Sequence, residues 1–594
     1  MSDPIKHVVV LLLENRSFDQ MLGCFSKIYS DLDGIDSDRP RVNTLPAGLA
    51  PAGRQQDFEQ QATTLRQMPW RKPYLWDPHH EVSHVHVQLN GPQGRPEQMG
   101  GFVADFVAAY PDSTDQARQY VMDYYPLDFL PALHALGRDF TICDRWFSSL
   151  PGPTWPNRFF ALSGTASGRV DMPGDGTYHF DIPGYFHQKQ PTIFDRLNDR
   201  GIHWKSYFHD IPQSWVMRRP RLPHNVARYF YIREFFRDAR WHEEDFPQFC
   251  YIEPDFLGLQ QNDDHPPHDV MKAERLVADV YNALRANTDL WHSTLLVILF
   301  DEHGGFYDHV YPPAALPPDP PDMRRQSLVS EVLARLNPWH KPDETYSFDQ
   351  LGVRVPAILV SPWVGRGVAK VGGASPVFDH TSLLKYLIEK WQLDPLGLRT
   401  PHANSIGMLI ADAMRADADT IQKIVMPRFE PVDEKLEDAA FGISEHDKSL
   451  LKLATFLKTV LWLEPTTFLA EHAVEAVPRI FVAIGAVLEQ ALFLPTWAIR
   501  RVGARFLGWD RRPSGSYGAP DKLHTKTVAP RNDGARFLMK RKRLALTTIA
   551  RDMKRDELHR KHAVRTLAEM TGHTFHKTDD HSAAREWLDE HGHR

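Results

Sequence analysis

The stretch STLLVILFDEHGGFYDHVYPP, residues 293 to 313, decides the fold. An apolar run from Leu295 to Phe300 leads directly into Asp301-Glu302-His303, and a pair of glycines follows. A short, branched apolar run that ends at a glycine turn indicates a strand buried on both faces of a parallel sheet. Ligands bind such sheets just beyond the carboxyl ends of the strands. The two adjacent carboxylates could therefore bind a hard cation or transfer protons, or they could form only a solvated acidic turn.

A second strand of the same kind opens the chain. The apolar run from Val8 to Leu13 closes on an acidic residue and an amide, and Ser17 or Asp19 then caps a helix. Because such strands often lie side by side in α/β folds, we expect the polar residues at the two strand ends to converge. They would form an all-oxygen ligand set, suited to Mg²⁺, Ca²⁺ or Mn²⁺ and less typical of Zn²⁺. The set consists of Glu14, Asn15, Asp301 and Glu302.

Length and composition set the wider limits. A chain of 594 residues is too long for one ordinary domain, so we expect a large domain and a smaller addition, divided near residue 430. The small net charge of −7 indicates no nucleic-acid partner. The three cysteines show no CxxC spacing, which excludes a disulfide framework. We find no secretory signal peptide, and expect a cytoplasmic protein or export by a route that reads no such signal.

Strand and helix patterns alternate along the chain to about residue 425. Strands are predicted at 202–208, 249–254 and 353–361. Helices are predicted at 271–286 and, capped by the segment Phe378-Asp379-His380-Thr381, as far as Trp391. The helix at 271–286 connects two predicted strands and so completes a βαβ unit. Residues 31 to 75 are rich in turn formers and are predicted to be long surface loops. The predicted fold class is α/β, with a central, mostly parallel sheet flanked by helices.

One threonine and a cluster of histidines are further candidate functional residues. Thr154 lies in the stiff segment PGPTWPNR, where a helix is predicted to begin. Its hydroxyl could be a nucleophile, could contact an anion, or could simply cap the helix. Histidines cluster in DPHHEVSHVH, residues 77 to 86. There His80 and His84 could be a helical metal pair, or part of a solvated turn.

These segments resemble the bacterial phosphoesterase family that contains phosphatidylcholine-preferring phospholipases C and related acid phosphatases. The matching pieces span residues 6 to 391 in family order, and the motifs ENRSFD, GPTWPNR and DEHGGFYDH within them are long and specific. The resemblance implies an alkaline-phosphatase-like domain that hydrolyses phosphate esters through a covalent phospho-enzyme and uses a divalent metal, Mg, Ca, Mn or Zn. By position, Thr154 matches the nucleophile, and Glu14, Asn15, Asp301 and Glu302 match the metal ligands. The histidines matching those around the transferred phosphoryl group are His80, His209 and His265, although Glu81 departs from the usual serine.

The chain changes character beyond residue 430. Residues 450–463 and 477–499 are apolar with helical spacing, but charges and Pro495 make the second stretch a poor membrane span. An interfacial or buried amphipathic helix fits better. Residues 500–565 are basic, with the block Lys540-Arg541-Lys542-Arg543. This region is either a solvated basic face or a site for an anionic membrane.

The sequence leaves the alcohol part of the substrate open. A phospholipid and a soluble phosphomonoester both fit the motifs, and a catalytically silent membrane-binding toxin or scaffold is the alternative from another class. Aromatic residues crowd the predicted site loops and could hold a choline ammonium by cation–π contact, or could be plain core. They are Trp76, Trp146, Trp155, Trp204, Tyr207 and Trp215. The oligomeric state is also left open.

Overall fold

The computed structural model describes residues 3–51, 53–69, 76–91, 99–172, 186, 190–256, 261–320, 346–428, 446, 449–450 and 452–453. The basic region at 500–565 and the apolar stretch at 477–499 lie outside these residues, as does most of the stretch at 450–463. The predictions made for those regions therefore stay predictions.

A central sheet of eight strands organises the described chain. The described part of the chain has these strands, of which β2 and β3 lie outside the central sheet: β1 (His7–Leu13), β2 (Val42–Leu45), β3 (Gln56–Glu59), β4 (Thr141–Ile142), β5 (Trp204–Phe208), β6 (Tyr229–Tyr231), β7 (Phe249–Glu253), β8 (Thr294–Phe300), β9 (Ala357–Val360) and β10 (Gly367–Val368). The order in the central sheet is β10-β4-β9-β8-β1-β7-β5-β6. Pairing is parallel except on either side of β9, which runs antiparallel to β4 and β8. The predicted α/β class with a mostly parallel sheet is confirmed.

The two strands that carry the predicted ligands are neighbours. β1 and β8 pair in parallel from His7 opposite Thr294 to Leu13 opposite Phe300. Every residue of both strands is buried, as expected for apolar runs covered on both faces. Because the paired strands end at the same level, the residues that follow Leu13 and Phe300 emerge together at one edge of the sheet.

Helices flank the sheet and connect its strands. The described α-helices are α1 (Phe18–Leu22), α2 (Val82–Asn90), α3 (Phe102–Ala109), α4 (Asp115–Tyr120), α5 (Pro131–Asp139), α6 (Thr154–Ser163), α7 (Ile193–Asp199), α8 (Pro223–Val226), α9 (Ile232–Asp238), α10 (Val270–Arg285), α11 (Thr288–Trp291) and α12 (His380–Trp391). Short 3₁₀ turns occur at Gly23–Lys27, Gln213–Val216, Arg219–Arg221, Glu243–Asp245, Thr400–His402 and Ile406–Leu409. The predicted connection between β7 and β8 is confirmed as α10, and α12 begins after its cap Asp379 as predicted.

The prediction of loops alone between residues 31 and 75 is wrong. β2 and β3 form an antiparallel pair there. Buried and exposed residues alternate along β2, where Asn43 and Leu45 point inward. The Asn43 side chain accepts a hydrogen bond from the Phe102 backbone N–H at 3.0 Å, at the start of α3. A polar inward residue breaks the alternation of apolar residues by which such a strand is recognised.

The aromatic residues proposed as a choline site are core residues. Trp76, Trp146, Trp155, Trp204, Tyr207 and Trp215 are each at most 4% exposed. They belong to two buried apolar clusters, so core packing explains them, and they give no support to a choline site. The larger cluster also includes Leu450 and Leu453, which follow the predicted domain boundary near residue 430. Within the described residues, no helix has the length and apolarity needed to cross a membrane.

Candidate active site

The carboxylate of Asp301, just after β8, accepts hydrogen bonds from backbone N–H groups that follow both β1 and β8. Asp301 Oδ1 accepts from the backbone N–H groups of Asn15, at 3.2 Å, and Glu302, at 2.7 Å. The turn beyond depends on Gly304, whose φ of +63° is left-handed, and a Cβ there would lie 2.3 Å from the Asn15 carbonyl oxygen. The Gly304 backbone N–H donates to Glu302 Oε2 at 2.8 Å. Only glycine lets the backbone approach this closely, so the DEHGG segment fixes both carboxylates against β1.

Thr154 lies directly beside this junction. It is the first residue of α6 and is fully buried. Its hydroxyl donates to Asn15 Oδ1 at 3.3 Å. The Asn157 side-chain amide donates to the Gly152 carbonyl oxygen at 2.8 Å and so fixes the loop that leads into the helix. The hydroxyl thus lies at the N-terminus of α6. The positive end of the helix dipole favours an anion at this position.

Arg158 lies one helical turn after Thr154 and bridges the two strand ends. Its Nη2 is 3.0 Å from Glu14 Oε1, and its Nε donates to Asp301 Oδ2 at 2.8 Å. Burial raises the pKa of Glu14 well above its usual range, although Arg158 opposes the shift. Burial likewise raises the pKa of Asp301 to about 6, against Arg158 and with a contribution from Glu302. The single positive charge of Arg158 therefore does not balance the negative charges of the two buried carboxylates.

His80 approaches the junction from the loop before α2. Its Nε2 is 3.5 Å from Asn15 Nδ2 and 3.9 Å from Glu302 Oε1, and its Nδ1 is 2.9 Å from the Pro78 carbonyl oxygen. Burial alone would lower the pKa of His80, but the carboxylates of Glu302, Glu81 and Asp77 raise it to about 9. The surrounding carboxylates therefore favour the charged form of the His80 imidazole.

The suggested helical pair of His80 and His84 does not form. His80 precedes the first residue of α2, so the two imidazoles do not share a helix face. The His84 Nδ1 lies 2.7 Å from Asp105 Oδ1 instead. His84 groups with His79 and Glu81, half-buried, with ligand atoms within 4.8 Å of one another.

His265 reaches the site from the segment NDDHPP. Its backbone N–H donates to Asp263 Oδ1 at 3.1 Å, and its Nδ1 is 2.6 Å from the Pro266 carbonyl oxygen. Its buried Nε2 has no hydrogen-bond partner among the described residues. Burial and the neighbouring His446 and His268 hold the pKa of His265 well below its usual range. Asp77 Oδ2 lies 4.0 Å from Nε2, beyond hydrogen-bond distance. A neutral imidazole can therefore accept a proton at Nε2.

His209 is the third histidine predicted to lie beside the phosphoryl group. It follows β5, which is separated from β1 by β7 on the same edge of the sheet. Its Nδ1 lies 3.2 Å from the Glu253 carbonyl oxygen. Its predicted role beside the phosphoryl group stays a prediction.

Two further residues reach Glu14 that no sequence signal singled out. Gln213 Nε2 donates to Glu14 Oε1 at 2.7 Å. His446, from beyond residue 430, places Nδ1 3.3 Å from Glu14 Oε2 and stacks on His265 with ring centroids 5.1 Å apart. The contact has the length of an ion pair but not the geometry of a full hydrogen bond. Arg158 was also missed, although its spacing of four residues from Thr154 places both on one helix face.

The donor set fits a hard divalent cation. Glu14 Oε2 and Glu302 Oε1 are buried oxygens without a hydrogen-bond partner among the described residues. Carboxylate and amide oxygens are the donors that Mg²⁺, Ca²⁺ and Mn²⁺ prefer. In the described part of the chain, the groups of acidic residues and histidines within 4.8 Å of one another include Glu14 with Asp263 and His446. In the described part of the chain, Glu14, Asp301 and Glu302 do not form such a group. Arg158 lies between Glu14 and Asp301 and contacts both.

Comparison with known proteins assigns the chain to a family. The sequence model of the Phosphoesterase family matches residues 5–394, well over half of the chain. The chain belongs to the phosphoesterase family. It is a phosphoric ester hydrolase, which confirms the predicted enzyme class.

Several relatives are similar over most of their length. The chain is 31% identical over 463 residues to non-specific phospholipase C3 of Arabidopsis thaliana, covering 76% of this chain and 80% of the relative. It is 30% identical over 419 residues to phospholipase C A of Mycobacterium tuberculosis strain H37Rv, covering 64% and 72%. Among solved structures, a protein of the alkaline phosphatase superfamily from Vibrio parahaemolyticus shares 9% identity, with 70% and 72% coverage. Its TM-score of 0.25 is too low to carry an argument.

Proposed function

We propose that this phosphoesterase is a divalent-metal-dependent phospholipase C. It would cleave phospholipids to diacylglycerol and a phosphorylated head group through a phosphate ester of Thr154. The observation that carries the proposal is the Thr154 hydroxyl, held 3.3 Å from Asn15 Oδ1 at the end of β1, beside the carboxylates that follow β8. A buried hydroxyl at a helix N-terminus, beside oxygen donors for a cation, suits attack on phosphorus.

Formation of the phospho-enzyme uses Thr154 and His80. A divalent cation held by Glu14, Asn15, Asp301 and Glu302 would lower the pKa of the hydroxyl and neutralise charge on the phosphoryl oxygens. Thr154, its proton lost to water, forms a bond from Oγ to phosphorus while the bond from phosphorus to the alcohol oxygen breaks. His80, whose charged form the nearby carboxylates favour, gives its proton to the departing alcohol.

Hydrolysis of the phospho-enzyme uses His265. Its neutral Nε2 takes a proton from water, and the water oxygen bonds to phosphorus. The bond from phosphorus to Thr154 Oγ breaks, and His265 returns the proton to that oxygen. His80 regains a proton from the solvent, which balances the proton that Thr154 released, so the cycle consumes one water.

The relatives support a phospholipid substrate. Those reported above are named phospholipases C, and the match reaches 80% of the length of the Arabidopsis protein. The basic region after residue 500 supports action at an anionic membrane surface, because lysine and arginine are attracted to anionic lipids.

Three substrates test the proposal. Wild type is assayed on phosphatidylcholine vesicles, on p-nitrophenyl phosphocholine and on p-nitrophenyl phosphate, with and without chelator. We expect hydrolysis of both choline esters, loss of activity with chelator and recovery with a divalent cation. Thr154→Val keeps the shape of the side chain and should lower turnover by about 10⁴-fold or more, whereas Thr154→Ser should retain part of it. Activity only on p-nitrophenyl phosphate would instead identify a phosphatase, and unchanged turnover of Thr154→Val would refute the covalent step.

A further inference from the structure

His446 reaches the catalytic centre from outside the residues matched by the family model, which end at 394. It is helical and 3% exposed, and Ser449, Leu450 and Leu453 are buried with it. The spacing of 446, 449, 450 and 453 is that of one helix face. Leu450 and Leu453 lie in the main apolar cluster, so packing holds the imidazole in place.

The hydrogen bonds of Gln213 determine which ring nitrogen of His446 carries the proton. The Trp155 indole N–H can only donate, and it donates to Gln213 Oε1 at 3.1 Å. The other end of the amide must therefore be the NH₂ group. That group donates to Glu14 Oε1 at 2.7 Å and lies 2.8 Å from His446 Nε2. His446 Nε2 is thus an acceptor, and in the neutral ring the proton is on Nδ1.

This tautomer decides between two interpretations of the cluster formed by Glu14, Asp263 and His446. Its atoms lie within 4.8 Å of one another, as in a metal site. A histidine that binds a metal through Nδ1 needs a lone pair there and usually donates from its other nitrogen. Here Nδ1 carries the proton and lies 3.3 Å from Glu14 Oε2. The cluster therefore presents a donor to Glu14, and not a nitrogen ligand to a cation.

We propose that His446 is a positioning residue: its Nδ1–H faces Glu14 Oε2 at 3.3 Å in a polar contact without hydrogen-bond geometry, and its ring supports the face of the His265 imidazole. With Gln213 on Oε1 and His446 on Oε2, both oxygens of Glu14 have a protein neighbour. The ring of His446 lies 17° from parallel with that of His265, which must keep Nε2 in the site. The inference rests on the proposed metal-dependent function, because Glu14 is one of the proposed metal ligands.

Two variants separate the contact of the His446 Nδ1–H with Glu14 from packing. His446→Asn can keep an N–H near the position of Nδ1, whereas His446→Leu has a similar volume and no donor. The affinity for Mn²⁺ is measured by calorimetry on the full chain, together with hydrolysis of p-nitrophenyl phosphocholine. We expect His446→Leu to bind Mn²⁺ about 10- to 100-fold more weakly, and His446→Asn to stay within about threefold of wild type. His446→Phe, which keeps the stack on His265, replaces the leucine variant if that protein does not fold.

A second measurement does not depend on the metal. Nitrogen-15 NMR of histidine-labelled metal-free protein, with the His446 signal assigned from a variant, should show the proton on Nδ1. A proton on Nε2, or equal Mn²⁺ affinity in wild type and His446→Leu, would overturn the inference. Equal weakening in the leucine and asparagine variants would also overturn it, since packing alone would then explain the effect. If wild type neither bound Mn²⁺ nor hydrolysed the ester, the proposed function would fail, and the NMR spectrum would still test the tautomer.

Discussion

Arg158 shows how one side chain sets the charge of the site. It is buried between Glu14 and Asp301, and its guanidinium contacts both. Burying an ion is costly unless a partner of opposite charge lies close by, so Arg158 makes it possible to place two carboxylates at the sheet edge. Burial still raises the pKa of both acids, so further positive charge near them would favour their ionised forms.

His80 gives the sharpest test of the mechanism at the level of single residues. A general acid matters only when the leaving oxygen is a poor leaving group that needs a proton. We expect His80→Gln to lower turnover of phosphatidylcholine by about 10²- to 10⁴-fold and to have a much smaller effect on p-nitrophenyl phosphocholine. His79→Gln, on the neighbouring residue, is the control. Equal losses on both substrates would show that His80 acts on binding and not on the leaving group.

Some site residues could be predicted from the sequence and others could not, for a physical reason. Asp301 and Glu302 follow a buried strand directly, so local sequence places them at the sheet edge. Gln213 and His446 are positioned by packing far along the chain, through Trp155 in one case and Leu450 in the other. No spacing within the sequence encodes such contacts.

At the level of elements, the cap of α12 connects the fold to the site. Asp379 accepts from the Thr381 backbone N–H at 3.2 Å and from the Ser149 hydroxyl at 2.9 Å, and it pairs with Arg399. The next residue, His380, has Nε2 2.7 Å from the Asp301 carbonyl oxygen. The cap therefore holds both the end of β8 and the loop that leads to Thr154.

We expect Asp379→Ala to lower the free energy of unfolding by at least about 2 kcal/mol and also to lower turnover. The loss combines the helix cap with an unpaired buried Arg399. Thr114→Ala is the matched control, because Thr114 caps α4 through the Ala117 N–H at 3.2 Å. It should cost about 1 kcal/mol with turnover unchanged. Urea denaturation and ester hydrolysis measure both effects, and full activity of Asp379→Ala would separate the cap from the site.

The elements themselves were predicted with different success. β1 and β8 are recognisable because all seven residues of each strand are buried, which gives an unbroken apolar run. β2 and β3 were missed because each strand has only four residues and β2 buries the polar Asn43. A buried polar residue is tolerated there because its partners on α3 satisfy it, and those partners become apparent only in the folded chain.

At the level of the whole molecule, an ion network joins distant parts of the chain and makes stability depend on pH. His309 Nδ1 lies 2.8 Å from Asp19 Oδ2, and its Nε2 lies 3.0 Å from Asp33 Oδ1. Arg354 contacts Asp19 from the other side at 3.0 Å. Burial opposes the charged imidazole, but Asp19 and then Asp33 raise the pKa of His309 to about 10. The network thus holds α1 against the segment after β8.

The sign of the pH dependence follows from that shift. The pKa of His309 is higher in the folded protein than the value of about 6.5 for an unfolded chain. Its contribution to stability is therefore complete below about pH 6.5 and is lost as the pH rises towards 10. His309→Gln should lower Tm by at least about 2 °C at pH 6, and the gap from wild type should narrow towards pH 10. His292→Gln, in the more exposed pair with Asp419, should change Tm less. A constant gap across this range would exclude the charge as its source.

The basic C-terminal region connects the proposed catalysis to a membrane surface. The block Lys540-Arg541-Lys542-Arg543 carries four positive charges in a basic region that follows the catalytic residues. Each basic residue near an anionic bilayer contributes about 1 kcal/mol, so changing all four to glutamine should weaken vesicle binding by on the order of 10²- to 10³-fold. We expect the quadruple variant to lose hydrolysis of vesicles that contain phosphatidylserine, and to keep hydrolysis of p-nitrophenyl phosphocholine. Neutral phosphatidylcholine vesicles and 0.5 M salt serve as controls, because screening should weaken wild type on anionic vesicles in the same direction. Wild-type binding by the variant would assign these charges to a solvated face.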